Sequence, residues 1–159
     1  MLNNHTYYSL HYGSLSIKEL LEVASRNSFR DEFGWGSCVL TDINNSSAAL
    51  NFIQMAVAYK IRPIIGIDFR NGIDQQFIGI AQNNNGFLQL NYFLTTYLQQ
   101  GKEIPKRAPN IEDCFIIYPI EKYTGFPLKP WEYVGVKHNQ LFNKSIRNRE
   151  IPLHRLVAL

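Results

Sequence analysis

The amino-acid sequence predicts an α/β fold in which strands and helices alternate. Short apolar, β-branched runs alternate with segments whose apolar residues recur at three-and-four spacing, and aspartate directly follows two of those runs. This alternation is typical of parallel strands joined by helices. At 159 residues, the chain is long enough for one compact unit with a buried core.

The first helix and the first clear strand follow from local signals. Ser16 and Glu19 form a capping box, in which each side chain satisfies a backbone amide at a helix start, so we predict a helix from here to about Arg26. The apolar run Cys38–Thr41 predicts a short buried strand that ends at Asp42.

The second helix and strand are predicted in the same way. Four polar residues offer N-caps for the helix, namely Asn44, Asn45, Ser46 and Ser47. One apolar face is expected to comprise Ala49, Phe52, Ile53, Ala56 and Val57. The run Ile61–Ile67 then predicts a buried parallel strand that ends at Asp68.

Later segments continue the alternation with weaker signals. We predict a strand over Phe77–Ala81, a turn over Asn83–Gly86 and a third helix with Phe87, Leu90, Leu94 and Tyr97 on one face. A linker-like stretch follows, and further strands are expected over 115–118, 133–136 and 156–159. Because the last of these has nothing after it, we expect a fragment of a longer chain.

Composition excludes several classes of protein. Hydrophobic residues make up 45% and charged residues 18%, which argues against disordered and fibrous chains. Cys38 and Cys114 form no CxxC motif, so we expect buried thiols rather than a zinc site or a disulfide. Neither a signal peptide nor a long apolar span is evident, and we expect a cytoplasmic protein without membrane contact.

Positive charge concentrates in the second part of the chain. Residues 100–159 contain 10 Lys and Arg against 6 Asp and Glu, whereas residues 1–99 contain 6 against 7. Basic residues of this part that are candidates for nucleic-acid binding are Lys137, Lys144, Arg147 and Arg149. A solvated surface is the alternative interpretation of the same charge excess.

Three polar side chains are candidates for a shared site. The carboxyl ends of parallel strands meet at one edge, where Asp42 and Asp68 are expected. If residues 2–4 form a first strand, His5 lies at the same edge. Two carboxylates and an imidazole are ligand types for zinc, manganese or iron.

Each of these residues also has a structural interpretation. Asp42 is equally suited to an Asx turn toward Asn44 or to capping the second helix. An ion pair with Arg70 would account for Asp68, and an isolated histidine such as His5 is most often a hydrogen-bonded surface or core group.

Four segments together resemble the amino-terminal PHP (polymerase and histidinol phosphatase) domain of bacterial DNA polymerase III alpha subunits. They are Leu2–Leu10 with Gly13, Leu40–Asn44, Ile61–Phe69, and Ile80–Asn83 with Gly86 and Phe87. Their order and spacing match the family. We therefore expect a PHP domain over 1–159, with a well-matched core over 1–99 and a divergent basic part over 100–159.

The resemblance implies a distorted β/α barrel, incomplete because the chain is truncated, with two or three metal ions at its strand ends. Ligand positions that keep a metal-binding side chain are His5, Asp42 and Asp68, the last a shortened glutamate. Positions that have lost the expected histidine are Asn3, Ile43 and Gln76. We therefore expect no metal, or one weakly held divalent ion such as zinc, manganese or magnesium.

The resemblance also implies a function. We expect a non-catalytic scaffold within a DNA-directed DNA polymerase, whose nucleotidyl transfer depends on magnesium in a domain beyond Leu159. Partners implied are the remainder of the alpha subunit, the proofreading exonuclease subunit, and DNA through the parent protein. An alternative is a metal-dependent phosphoesterase or 3′–5′ exonuclease that uses His5, Asp42 and Asp68.

Overall fold

Mixed helices and strands make up the chain, which confirms the α/β class. A computed structural model describes residues 2–9, 12–137, 140 and 151–159. The chain divides into two compact units, residues 1–68 and residues 69–159.

Helices and strands follow one another along the chain in mixed order. They are α1 (Ile17–Asn27), β1 (Gly36–Leu40), α2 (Ala49–Ala56), β2 (Ile61–Asn71), β3 (Asp74–Ala81), α3 (Asn84–Gln100), β4 (Cys114–Pro119), β5 (Glu132–Val136) and β6 (Leu156–Ala158). Single turns of 3-10 helix cover Val57–Tyr59 and Leu153–Arg155. Within the parts of the chain that the structure covers, no helix is long and apolar enough to cross a bilayer.

A parallel strand pair and α1 build the first unit as predicted. β1 and β2 pair in parallel from Gly36 opposite Ile61 to Leu40 opposite Ile65. The capping box of α1 is present, because Glu19 N–H donates to Ser16 Oγ and Ser16 N–H donates to the Glu19 carboxylate. The buried residues of α1 are Ile17, Leu20 and Leu21.

The start of α2 and its buried face differ from the prediction. Ala48 occupies the N-cap without a side-chain hydrogen bond, so none of the four polar residues before it caps the helix. They form the loop instead: Ser47 N–H, for example, donates to Asn45 Oδ1.

An exposed apolar flank runs along α2 and into the 3-10 turn that follows it. Ala49, Phe52 and Ala56 are buried as expected, whereas Ile53 is 40% and Val57 62% exposed. Together with Leu50, which is 70% exposed, these two residues form what we call the apolar flank. A short helix with apolar residues on two sides does not itself determine which side packs inward.

β2 continues past its predicted end, so Asp68 lies within a strand. The strand ends at Asn71, and Gly72, at φ 59°, begins the two-residue connection to β3. Two residues are too few for the crossover that a parallel pair requires. β3 pairs with β4 in the antiparallel direction, contrary to the all-parallel expectation.

The second unit contains a buried aromatic cluster. β4 pairs with β5, and β5 with β6, in parallel. Ring centroids of Phe69, Phe77 and Phe93 lie 4.9–6.0 Å apart. Cys38 of the first unit and Cys114 of the second are buried free thiols, as predicted.

Candidate functional site

His5 and Asp68 form a direct pair in the first unit. His5 Nε2 lies 3.1 Å from Asp68 Oδ2, and the Asp68 side chain is fully buried whereas that of His5 is 16% exposed. The buried carboxylate orients the partly exposed imidazole ring through this contact.

The backbone after β1 places Asp42 beside Asp68. Asp68 N–H donates to Asp42 O at 3.1 Å, and Asn44 N–H donates to Asp68 O at 3.0 Å. Ile43 therefore forms a parallel bridge with Asp68. These bonds continue the parallel pairing of β1 and β2 beyond Leu40. They bring the two predicted aspartates to the same edge of the strand pair.

The Asp42 carboxylate holds the loop that follows His5. Thr6 N–H and Ser9 Oγ–H donate to Asp42 Oδ1, and Thr6 Oγ1–H donates to Oδ2, each at 2.7 Å. Asp42, Thr6 and Ser9 are all buried. Ser9 Oγ in turn accepts a hydrogen bond from Ile43 N–H at 2.9 Å. Asp42 therefore neither forms an Asx turn to Asn44 nor caps α2; it closes a buried polar network.

Residues 2–5 form no regular strand, but Asn4 binds the end of β1. Thr41 N–H donates to Asn4 O at 2.9 Å, and Asn4 N–H donates to Thr41 Oγ1 at 3.0 Å. Asn4 Nδ2 donates to Val39 O at 2.8 Å. These bonds place His5 at the predicted edge without a β ladder.

Two positions with a lost histidine have other roles. Asn3 Oδ1 accepts a hydrogen bond from Thr41 Oγ1 at 3.0 Å. The Ile43 N–H donates to Ser9 Oγ, and the Ile43 side chain is a hydrocarbon.

The third such position, Gln76, belongs to the second unit. Its Nε2 donates to Asp74 O and to Asp74 Oδ2, both at 2.9 Å. Its Oε1 is buried without a hydrogen-bond partner among the described residues.

The structure shows how the predicted ligand positions of the first unit are used. Both Asp42 oxygens and the Asn3 oxygen already accept hydrogen bonds, and Ile43 offers no donor atom. Over the described ranges, no three His, Cys, Asp or Glu side chains form a group that could hold an ion. A bridged metal pair requires several fixed nitrogen or oxygen ligands per ion.

The candidate nucleic-acid residues fall largely outside the described residues. Lys144, Arg147 and Arg149 lie there, so the structure gives no geometry for them. Lys137 is exposed, and its N–H donates to Gln140 Oε1.

Two residues of the network escaped prediction. Thr6 and Ser9 carry the hydroxyls that hold Asp42, although 36 and 33 residues separate them from it. No local pattern marks a hydroxyl as the partner of so distant a carboxylate.

Comparisons with known proteins bear on the same segments. Residues 2–123 match the PHP domain family. The chain is 35% identical over 116 residues to the DNA polymerase III subunit alpha of Ureaplasma parvum serovar 3, which covers 73% of this chain and 11% of that relative. The chain thus spans about a tenth of the length of this relative.

Proposed function

Because the chain belongs to the PHP domain family, we propose that it acts as the amino-terminal PHP domain of a DNA polymerase III alpha subunit. In this role it supports DNA replication in the cytoplasm as an incomplete β/α barrel, and it serves as a scaffold rather than a hydrolytic centre. Nucleotidyl transfer, with its magnesium ions, belongs to other parts of the parent polymerase.

The observation that carries the scaffold proposal is the use of Asp42. A catalytic carboxylate at this position would present free oxygen atoms to a metal ion. In this chain, three hydrogen bonds from Thr6 and Ser9 engage both oxygens of the carboxylate, and they tie the loop after His5 to the end of β1. The same atoms that would bind metal instead maintain the shape of the site.

The apolar flank of α2 supports a role in binding the rest of the polymerase. Leu50 and Ile53 of α2, together with Val57 of the 3-10 turn that follows, expose apolar surface, which is costly in water unless a partner covers it. The related alpha subunit extends far beyond the matched segment. We propose that the remainder of the alpha subunit covers this flank, and that the proofreading exonuclease subunit is a further partner.

Metal analysis tests the scaffold proposal. The purified chain is loaded with Zn²⁺ or Mn²⁺, excess ion is removed, and bound metal is measured by elemental analysis. We expect no more than one weakly held ion per chain, because the donor set is incomplete. Two or more tightly held ions per chain would overturn the proposal.

A variant with added metal ligands serves as a positive control, because it shows whether the loading procedure can detect bound metal. The double substitution Asn3→His and Ile43→His restores two imidazoles at the edge that bears His5 and Asp68. We expect this variant to bind more metal than the unaltered chain under the same conditions.

The His5–Asp68 pair supports a second candidate, a phosphoesterase or 3′–5′ exonuclease. An imidazole oriented by a buried carboxylate is a common general base. Release of phosphate from nitrophenyl phosphate, or shortening of a labelled primer, is measured with and without manganese. Activity that His5→Gln abolishes would favour this candidate over the scaffold.

A further inference from the structure

We propose that a cleft in the first unit binds a nucleotide, with the base stacked on Tyr7. The cleft has a volume of about 260 Å³ and lies between Tyr7, the first turn of α1 and one side of α2. This volume suits a single base better than a larger ligand, since sites for drug-sized molecules start at about 300 Å³. The side chains that the proposal uses are Tyr7, Ile17, Lys18, Asn51, Gln54 and Met55.

Tyr7 is a fixed aromatic surface. Its N–H donates to Leu15 O at 2.9 Å, so its backbone is tied to the residues before α1. Its ring stacks on Tyr8 with centroids 4.7 Å apart and an interplanar angle of 26°. The residue is nonetheless 48% exposed. A ring that is supported on one side and accessible elsewhere is the arrangement on which single-stranded nucleic acids stack their bases.

Asn51 and Gln54 provide groups that recognise a base edge. They are three residues apart on α2 and are therefore neighbours on its surface. Both are exposed, so their carboxamides are accessible to a ligand. A carboxamide both donates and accepts, which matches the paired donor and acceptor of an adenine edge. Ile17 and Met55 add apolar contact for the base plane.

Lys18 is the group placed to meet a phosphate. Its side chain is 67% exposed and its ammonium lies 4.0 Å from Glu22 Oε1, a loose ion pair that a phosphate can displace. The Glu19 carboxylate lies in the same helical turn and repels an anion such as phosphate. The hydrogen bond from the Ser16 backbone lowers the pKa of Glu19. Residues 1–68 contain 5 Lys and Arg against 6 Asp and Glu. We infer that the base supplies most of the affinity and that salt weakens binding only slightly.

The test is an NMR titration of the full chain with deoxyadenosine monophosphate in the presence of EDTA. We expect saturable shifts of the Tyr7, Lys18 and Gln54 amides with a dissociation constant on the order of 1 mM. Tyr7→Ala is expected to weaken binding about tenfold, and Tyr7→Phe to preserve it, because the phenyl ring still stacks.

Tyr92 provides a matched control for Tyr7. It is 71% exposed on α3 of the second unit, so Tyr92→Ala removes an exposed tyrosine without touching the cleft. We expect this variant to bind the nucleotide as the unaltered chain does. A loss of affinity equal to that of Tyr7→Ala, or the absence of saturable shifts in the unaltered chain, would overturn the proposal.

A second arm identifies the source of the nucleotide. A single-stranded oligodeoxyadenylate replaces the mononucleotide in the same titration. Tighter binding per site would identify a DNA strand as the ligand, and equal binding would identify a free nucleotide; either supports the cleft. Because EDTA removes divalent metal, the result does not depend on whether the chain holds a catalytic ion.

Discussion

A buried carboxylate in each unit is satisfied by different chemistry. Asp42 in the first unit and Glu132 in the second are both about 1% exposed. Among the described residues, the donors to Asp42 are all neutral, two hydroxyls and one amide, each at 2.7 Å. Glu132 also has a charged partner, Arg107, whose Nη2 lies 3.5 Å from Glu132 Oε2.

The Glu132 cluster ties two loops to neighbouring strands. Tyr118 Oη–H donates to Glu132 Oε1 at 3.1 Å, and Lys129 N–H donates to Oε2 at 2.8 Å. Burial and the nearby Glu132 charge raise the pKa of Tyr118. Arg107 extends from the segment after α3, donates to Pro127 O and lies over the Phe126 ring at 4.5 Å.

The comparison separates a carboxylate that the sequence singled out from one that it did not. Asp42 is a predicted metal ligand, and both of its carboxylate oxygens accept hydrogen bonds from the loop after His5. Glu132 lies beyond residues 2–123, which match the family, and it belongs to no predicted motif. It is nevertheless as buried as Asp42, and it also accepts hydrogen bonds on both carboxylate oxygens. In both cases, the buried charge is tolerated because hydrogen bonds replace its lost hydration.

The largest expected effect is that of removing the Asp42 carboxylate. Asp42→Ala leaves three buried donors without an acceptor, and we expect it to reduce the free energy of unfolding by about 4 kcal/mol. Asp42→Asn keeps the shape but places an amide group opposite those donors, so we expect a loss of about 2 kcal/mol. Urea denaturation followed by circular dichroism measures both.

Ser9→Ala serves as the matched partial variant. It removes one hydroxyl from the network and is expected to cost about 1 kcal/mol. An Asp42→Ala variant as stable as the unaltered chain would contradict the structural role assigned to this carboxylate.

A smaller effect is expected for the ion pair of the second unit. Because Arg107 is 43% exposed and its contact is long, we expect Arg107→Ala to cost about 0.5–1 kcal/mol. Repeating the denaturation in about 1 M NaCl should shrink this cost, because salt screens an exposed charge. The cost of Asp42→Asn should stay the same, since its partners are neutral and buried. If salt reduced the cost of Arg107→Ala and the cost of Asp42→Asn equally, the two carboxylates would not differ in the charge of their partners as described.

A pH-dependent effect of similar size concerns the buried thiols, one in each unit. Burial raises the pKa of Cys38 from 9.0 to about 11 and that of Cys114 to about 12. The unfolded thiol ionises first as pH rises, so stability is full below pH 9.0 and falls toward pH 11. For Cys38 we expect a loss of about 1 kcal/mol by pH 10.

The comparison of Cys38→Ser with the unaltered chain isolates this contribution. Denaturation curves at pH 8 and pH 10 give the pH-dependent loss for each protein. We expect a smaller loss in the variant, because its hydroxyl does not ionise in this range. An identical loss in both proteins would show that Cys38 makes no contribution.

Local features of the chain were predictable from the sequence. The Ser16 and Glu19 capping box specifies the start of α1 from residues three apart, and apolar runs specify the centres of β1 and β2. The family resemblance depended likewise on short segments in a fixed order. These features depend on neighbouring residues along the chain, so pattern alone determines them.

Only the tertiary structure decided what the site residues do. The sequence placed His5, Asp42 and Asp68 at one edge, but it contained no sign that Thr6 and Ser9 would donate hydrogen bonds to Asp42 from more than thirty residues away. The sequence also could not determine that β2 continues beyond Asp68, or which side of α2 remains exposed. Hydrogen bonds and burial depend on distances in space, and those distances are set when the chain folds rather than by the spacing of residues along it.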